Sequence, residues 1–396
     1  MTMQIATEPL RPVRRFRPSS QPARARIPEL DGLRGAAILS VMCFHYFEAF
    51  TGQQHSPLAY FHPLNAMGWT GVDLFFVLSG FLIGGVLLDA RSSSSYFKTF
   101  YIRRFYRIIP VYYAWICSFF VLITIAGIST SRAEVVVWPH HPPIYVYLLF
   151  LQNMRGIHYA GVSAAWLAVT WSLAVEEQFY LVTPLLVRLL STRALVAVLS
   201  ATIVVAPFIR FFVHMEWSSG PELASKLMPC RADAFAIGML VAVLWRSNYL
   251  RARLAASKRK VYLLLCISFA GLLMATMRWS SAPNSVGLHT VGYTITAFSF
   301  AAILLFVLMK PVSPIASLFR MGWLREIGAV SYCMYLIHVV IWAGCHDLLP
   351  LTVRQSASWR NAGLSLVAGA LTFGIARMSW RCFERPLLQR GHAYRY

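Results

Sequence analysis

Ten apolar segments, each about as long as a membrane-crossing helix, constrain the fold more than any other feature of this sequence. A helix that crosses a bilayer needs about 20 predominantly apolar residues. The sequence therefore predicts an all-α, polytopic membrane protein of about ten transmembrane helices. The segments cover roughly residues 30–50, 68–89, 107–128, 166–190, 194–215, 231–247, 260–277, 289–309, 327–348 and 361–383. A further apolar stretch, 144–151, is too short to cross and predicts an interfacial or partly buried piece.

The composition agrees with a membrane protein. Of the 396 residues, 58% are hydrophobic and 13% are charged, whereas a soluble domain is about 25% charged. A net charge of +21 would by itself also fit a protein that binds nucleic acid. The basic residues, however, lie mostly in the short connections between apolar segments, so we expect membrane lipids and no nucleic acid as partners.

The positions of Lys and Arg predict the orientation. If the N-terminus is cytoplasmic, the connections on that side carry 26 of these residues and the opposite connections carry 7. Cytoplasmic loops carry an excess of Lys and Arg, so we expect both termini in the cytoplasm. We also expect a disordered basic tail over 1–26, a transmembrane domain over 27–390 and a short C-terminal tail over 391–396.

The first apolar segment carries four ionisable residues, Asp31, Arg34, His45 and Glu48. Arg34 and His45 are eleven residues apart, which is almost three helical turns. Both side chains therefore lie on one stripe, separated by roughly 16 Å along the axis. Glu48 lies three residues beyond His45 and within its reach. Because ionisable side chains in a bilayer are costly, the set predicts a functional site.

The second segment contains Asp73 near its predicted outer end, together with several glycines. Gly80, Gly84 and Gly85 are typical of close helix packing. An apolar helix gains nothing from Asp73 unless the carboxylate has a partner. Asp73 is therefore a candidate either for the site itself or for a contact that holds a helix in place.

A basic cluster, Arg103, Arg104 and Arg107, precedes the third segment, and the last two share a helical face. Two interpretations are open. The cluster suits contact with lipid head groups at the cytoplasmic surface. It also suits a clamp for a phosphorylated ligand, because guanidinium groups bind phosphate in a bidentate manner.

Two later segments carry further charges. Glu176 and Glu177 lie near the middle of the fourth segment. Adjacent helical residues point about 100° apart, so we expect at most one of them to face a given site. Arg231 and Asp233, at the start of the sixth segment, are predicted to form an ion pair at the outer face.

The ninth segment carries Ser331, Tyr335 and His338 at positions i, i+4 and i+7, on one stripe. His338 is either a packed, hydrogen-bonded residue or a member of the site. We expect no metal site and no disulfides. The seven cysteines form no Cys-x-x-Cys pair, and His140 and His141 lie in a Pro-rich loop without other ligands.

At these residues the chain resembles the integral-membrane acyltransferase family three, which O-acylates bacterial polysaccharides, lipopolysaccharides, Nod factors and some macrolides. The motifs that carry the resemblance are PELDGLRG with His45 (Arg-x10-His), GVDLFFVLSGFLI, the Arg-x-x-Arg of RRFYR, WSLAVEEQFYL, RADAFAIGML, SYCMYLIH and FERPLL. They run over nearly the whole chain, in order. The resemblance implies a bacterial inner-membrane enzyme with no permanently bound cofactor. Acyl-CoA, commonly acetyl-CoA, would be its cytoplasmic co-substrate, and the acceptor would be a hydroxyl of a glycan or glycolipid.

The resemblance also assigns roles. Arg34 and His45 match the essential Arg-x10-His pair of the family, and Arg104 and Arg107 match the Arg-x-x-Arg pair linked with acyl-CoA. Histidine suits a general base for acyl transfer because it titrates near neutral pH. We therefore expect His45 as the base, with Glu48 or Asp73 orienting its ring. We expect Arg34, Arg104 and Arg107 to bind the CoA phosphates. A covalent acyl-His45 intermediate is a variant of this mechanism.

Other intramembrane polar residues are expected to support the substrate or the site. They are Asp31, Glu176, Glu177, Arg231, Asp233, Ser331, Tyr335 and His338. The competing function is a proton-coupled or solute transporter, because lines of buried ionisable residues also serve carriers. Carriers often contain two repeated halves, and this sequence has no evident internal repeat.

Overall fold

The structure, a computed structural model, describes residues 27–51, 59–129, 143–154, 166–217, 219–279, 285–347 and 359–396. These residues form helices joined by turns and loops, without a β-strand, which confirms the predicted all-α class. The predicted N-terminal tail, 1–26, and the pair His140 and His141 lie outside the described residues.

The α-helices are numbered here in chain order. They are α1 (Pro28–Thr51), α2 (His62–Ala66), α3 (Gly71–Asp89), α4 (Tyr96–Ser129), α5 (Ile144–Leu148), α6 (Trp171–Leu189), α7 (Thr192–Glu216), α8 (Gly220–Lys226), α9 (Met228–Arg246), α10 (Asn248–Ala255), α11 (Lys258–Trp279), α12 (Tyr293–Met309), α13 (Pro314–Arg320), α14 (Gly322–Ala329), α15 (Ser331–Asp347), α16 (Trp359–Ser379) and α17 (Arg385–His392). Short 3₁₀ turns cover Ala59–Phe61, Gly68–Thr70 and Ala168–Thr170, and π turns cover Leu288–Gly292 and Trp380–Glu384.

Each of the ten predicted segments is largely helical, although the ninth is divided between α14 and α15, and the short apolar stretch contains α5. Among the described residues, six helical stretches are long and apolar enough to cross a membrane. They are Ala59–Asp89, Tyr96–Leu122, Thr192–Glu216, Gly220–Arg246, Leu288–Met309 and Trp359–His392. The pair α14 and α15, bent by 79°, would make a seventh. The protein is thus an all-helical membrane protein, and ten crossings with cytoplasmic termini stay a prediction.

Helices α3 and α9 touch backbone to backbone. A Cβ atom on Gly80 would lie 2.2 Å from the carbonyl oxygen of Phe235, and one on Gly238 would lie 2.1 Å from that of Val77. Only glycine fits such an approach. The predicted packing role of the glycines in the second segment is therefore confirmed.

Helix α1 is central, because it packs against α3 and also against α13 to α16 near the other end of the chain. Gly328 of α14 approaches the α1 backbone so closely that a Cβ atom would clash with the carbonyl oxygen of Asp31. Farther along α1, the Tyr46 hydroxyl donates to the carbonyl oxygen of His338 (2.9 Å). The Ser365 hydroxyl donates to the carbonyl oxygen of Tyr46 (2.9 Å). These contacts fix the central helix against α15 and α16.

Two buried ion pairs join helices α3, α7 and α9. Arg231 binds Asp73, and Arg210 binds Asp233 at 3.0 Å. The predicted pair between Arg231 and Asp233 is therefore wrong. Residues two apart on a helix point about 200° away from each other, so these two side chains turn to different neighbours.

Candidate functional site

A cavity of about 360 Å³ lies between α1, α3, α4, α6, α15 and α17, a size found for small-molecule sites. Four arginines line it, Arg34, Arg103, Arg104 and Arg107. Helix α1 supplies the first, and the opening turns of α4 supply the others. We call this part of the cavity, defined by the four arginines, the basic end.

Two arginines of the basic end have no ion-pair partner among the described residues. The Arg34 guanidinium lies 3.8 Å from the Asp31 carboxylate. Arg104 lies over the ring of Tyr180, 5.4 Å from its centroid. Within the described part of the chain, neither Arg104 nor Arg107 forms a hydrogen bond or an ion pair. Guanidinium groups that line a cavity without forming ion pairs favour an anionic ligand.

Both carboxylates of α6 line the same cavity. Glu176 accepts hydrogen bonds at one oxygen from the hydroxyls of Ser79 (2.6 Å) and Tyr180. The Oε1 atom of Glu177 is buried, and no described residue donates to it. The expectation that at most one of the two glutamates faces a given site is wrong, because both line this one cavity.

A pair of histidines joins α1 to α15. His45 Nδ1 donates to the carbonyl oxygen of Val41 at 2.9 Å, and His338 Nδ1 donates to that of Tyr335 at 2.7 Å. A carbonyl oxygen only accepts, so each Nδ1 carries the proton. The Nε2 atom of His338, 3.3 Å from His45 Nδ1, then acts as a second acceptor for the same N–H group. A neutral His45 consequently has its lone pair on Nε2.

The predicted stripe on α15 links this pair to the cavity. The side chains of Ser331 and Tyr335 line the cavity, and the Tyr335 hydroxyl lies 2.7 Å from the Ser172 hydroxyl. One turn farther along, His338 is fully buried and contacts His45. Neither histidine lines the cavity itself. The pair is connected to it through Tyr335.

Asp73 and Glu48 were the predicted carboxylate partners of His45, and the described residues do not place either of them against its ring. Asp73 binds Arg231, and the imidazole of His338 and the carbonyl of Val41 hold the Nδ1 side of the His45 ring. The structure thus does not give Asp73 the orienting role. The Glu48 side chain lies outside the described residues, so its role stays a prediction.

Several residues of the cavity were not singled out from the sequence. Ser79 and Tyr180 lie inside the motifs GVDLFFVLSGFLI and WSLAVEEQFYL, which could have indicated them. Leu388, His392 and Tyr396 line the cavity from the C-terminal end of the chain. Leu388 ends the motif FERPLL, which could have indicated it, whereas no sequence signal indicates His392 and Tyr396, since 391–396 has the composition of a tail.

Comparisons with known proteins connect this geometry to a family. A family model described as an acyltransferase domain matches residues 27–378. The chain is 28% identical to the peptidoglycan O-acetyltransferase OatA of Listeria monocytogenes, over 93% of this chain and 57% of that protein. It is 28% identical to the putative peptidoglycan O-acetyltransferase YrhL of Bacillus subtilis, over 92% of this chain and 55% of that protein. It is 25% identical to the O-acetyltransferase OatA of Staphylococcus aureus strain NCTC 8325, over 92% of this chain and 58% of that protein.

The chain spans a little over half the length of these curated relatives. No solved structure matches it. The family model nevertheless covers most of the chain and includes both histidines and all four arginines of the site. The chain therefore belongs to the acyltransferase family to which that domain model corresponds.

Proposed function

We propose that the protein is a membrane O-acetyltransferase that moves an acetyl group from cytoplasmic acetyl-CoA to a hydroxyl of a cell-envelope glycan. One observation carries this proposal: a cavity with an arginine cluster is connected, through Tyr335 and His338, to a histidine whose lone pair lies on Nε2. The names of the relatives favour acetyl as the group and peptidoglycan as the acceptor. They give no support to lipopolysaccharide.

The donor would bind with its phosphates at the basic end. Arg104 and Arg107 form no ion pair with a described carboxylate, and CoA carries three phosphate groups. The positive-inside distribution of Lys and Arg supports a basic end that faces the cytoplasm. Arg34 and His45 lie on one stripe of α1, roughly 16 Å apart. The pantetheine arm would cross this distance and bring the thioester toward the histidines.

His45 would act as the general base. Its Nε2 atom takes the proton of the acceptor hydroxyl while the hydroxyl oxygen attacks the thioester carbonyl. The tetrahedral intermediate then collapses, the C–S bond breaks, and the imidazolium returns the proton to the leaving thiolate. His338 would keep the His45 ring oriented and stabilise the imidazolium, because its Nε2 accepts the Nδ1–H of His45.

The transporter hypothesis receives no support. The family match points to acyl transfer, and the arginines and glutamates line one cavity, to which Tyr335 connects the histidine pair. A carrier would move its solute without covalent change. Labelled acetyl groups transferred to glycan therefore distinguish the two functions.

The test measures transfer of labelled acetyl groups from acetyl-CoA to peptidoglycan fragments by protein purified in lipid nanodiscs. We expect His45→Gln to lower kcat by roughly 10²–10⁴ while CoA still binds. We expect Arg104→Ala with Arg107→Ala to weaken CoA binding instead, by at least about tenfold. Arg390→Ala is the matched control, since this exposed arginine does not line the cavity.

Either of two results would refute the assignment. One is near-normal transfer by folded His45→Gln protein. The other is CoA affinity in the double arginine variant equal to that of Arg390→Ala.

A further inference from the structure

The last residues of the chain are fastened to the beginning of α4. The Ser95 and Thr99 hydroxyls donate to the carbonyl oxygen of Arg395 at 3.1 and 3.0 Å. Arg103 Nε donates to the carbonyl oxygen of Tyr394 at 2.9 Å. Three hydrogen bonds thus hold the backbone of 394–395 against the helix that supplies most of the basic end.

This attachment directs one aromatic ring to the cavity. Tyr396 lines the cavity, and the Arg103 guanidinium lies over its ring, 5.1 Å from the centroid. Tyr394, two residues earlier, is 40% exposed and does not line the cavity. The same segment therefore presents one tyrosine to the cavity and leaves the other at the surface.

An aromatic ring at the rim of a cationic cluster suits a particular ligand class. A nucleotide uses both features, because its phosphates bind guanidinium groups and its base stacks on aromatic rings or on guanidinium planes. A lipid head group or inorganic phosphate would use the arginines and would gain nothing from the ring.

We propose that Tyr396 is the wall on which the nucleotide base of the acyl donor stacks. The identification of that donor as acyl-CoA rests on the proposed function. The base would lie against Tyr396 and Arg103, the phosphates against Arg104 and Arg107, and the pantetheine arm would run inward past Glu177. The C-terminal segment is then a part of the donor site and sets its preference for a nucleotide-bearing thioester.

The probe that tests this proposal is adenosine 3′,5′-bisphosphate, which carries the base and the 3′-phosphate of CoA without the pantetheine arm. Its binding to the purified full chain is measured by calorimetry. We expect Tyr396→Ala to weaken binding roughly tenfold, the size of one lost base–ring stack. Tyr396→Phe keeps the ring and should bind within about twofold of wild type, as should the matched control Tyr394→Ala.

Inorganic pyrophosphate, which has no base, separates stacking from a general disturbance of the arginines. Its affinity should be equal in all four proteins. The proposal is overturned if wild type does not bind the bisphosphate, or if Tyr396→Ala binds it as tightly as Tyr394→Ala. It is also overturned if Tyr396→Ala weakens both probes alike. A wild-type protein that binds the bisphosphate yet transfers no acetyl group would refute the proposed function and leave the nucleotide site standing.

Discussion

At the scale of single residues, the contact between His45 and His338 determines how protons are arranged in the candidate site. Both Nδ1 atoms donate to carbonyl oxygens of their own helices, which fixes both tautomers. The Nε2 atom of His338 accepts a hydrogen bond from the Nδ1–H group of His45. We therefore propose that His338 is a positioning residue, because the lone pair of a neutral His45 lies on Nε2, which accepts from no described residue.

Replacement of this positioning residue has a measurable consequence. We expect His338→Ala to lower kcat roughly three- to tenfold, the value of one hydrogen bond, with KM for the donor unchanged. His346 provides the control, because it lies on the same helix, is buried, and donates through Nδ1 to the carbonyl oxygen of Trp342. A decrease in kcat of equal size in His346→Ala would show that loss of any buried histidine on α15 has this effect.

Helical spacing explains which site residues the sequence could predict. Arg34 with His45, Arg104 with Arg107, and Ser331 with Tyr335 and His338 share faces within one helix, and the structure brings each set to the cavity or to the histidine pair. The partner of Arg231 could not be predicted in this way. Asp73 is 158 residues away in sequence, so the pairing depends on how α3 and α9 pack.

At the scale of elements, the crossing of α3 and α9 shows how glycines shape the bundle. This crossing brings Asp73 to Arg231 and lets α3 supply Ser79 to the cavity. A similar backbone contact occurs in the ninth predicted segment, where Gly328 packs against the backbone of α1. The structure divides that segment into α14 and α15, with a 79° bend that periodicity alone does not reveal.

The crossing makes a prediction about stability. Gly80→Ala places a methyl group where the Phe235 carbonyl oxygen already lies, so we expect a loss of about 1–3 kcal/mol in the free energy of unfolding. Gly374→Ala, on α16, meets no atom within 4 Å, and we expect equal or slightly higher stability. Thermal unfolding of the two proteins in the same detergent makes the comparison. Equal melting temperatures would show that the helices can separate there without cost.

At the scale of the whole molecule, charged groups have two distinct functions. In the basic end, Arg104 and Arg107 form no ion pair with a described residue, and we propose that they are available to a ligand. Arg210 and Arg231 are fully buried and paired with Asp233 and Asp73, so they connect α3, α7 and α9. The apolar segments predicted where the helices lie. They did not predict which arginines form buried ion pairs, because sequence alone does not show which charged side chains come into contact.

The buried pairs and the exposed pairs should differ in energy. Arg231→Ala leaves the Asp73 carboxylate buried without its cation, so we expect a loss of about 3–5 kcal/mol in unfolding free energy. Arg246→Ala breaks the pair with Asp89, whose side chain is 49% exposed, and should cost at most about 1 kcal/mol. Unfolding in denaturant measures both. Similar losses in the two variants would contradict the structural role of the buried pair.

The position of α1 at the centre of the bundle has a consequence for biosynthesis. Arg34 and His45 lie on α1, whereas His338, Thr372 and Tyr396, which complete the surroundings of that helix, are translated at least 293 residues after His45. During membrane insertion α1 must therefore form before the residues that pack around its charged stripe. Nascent chains that stop before α15 should therefore be inactive and exposed to quality-control proteases.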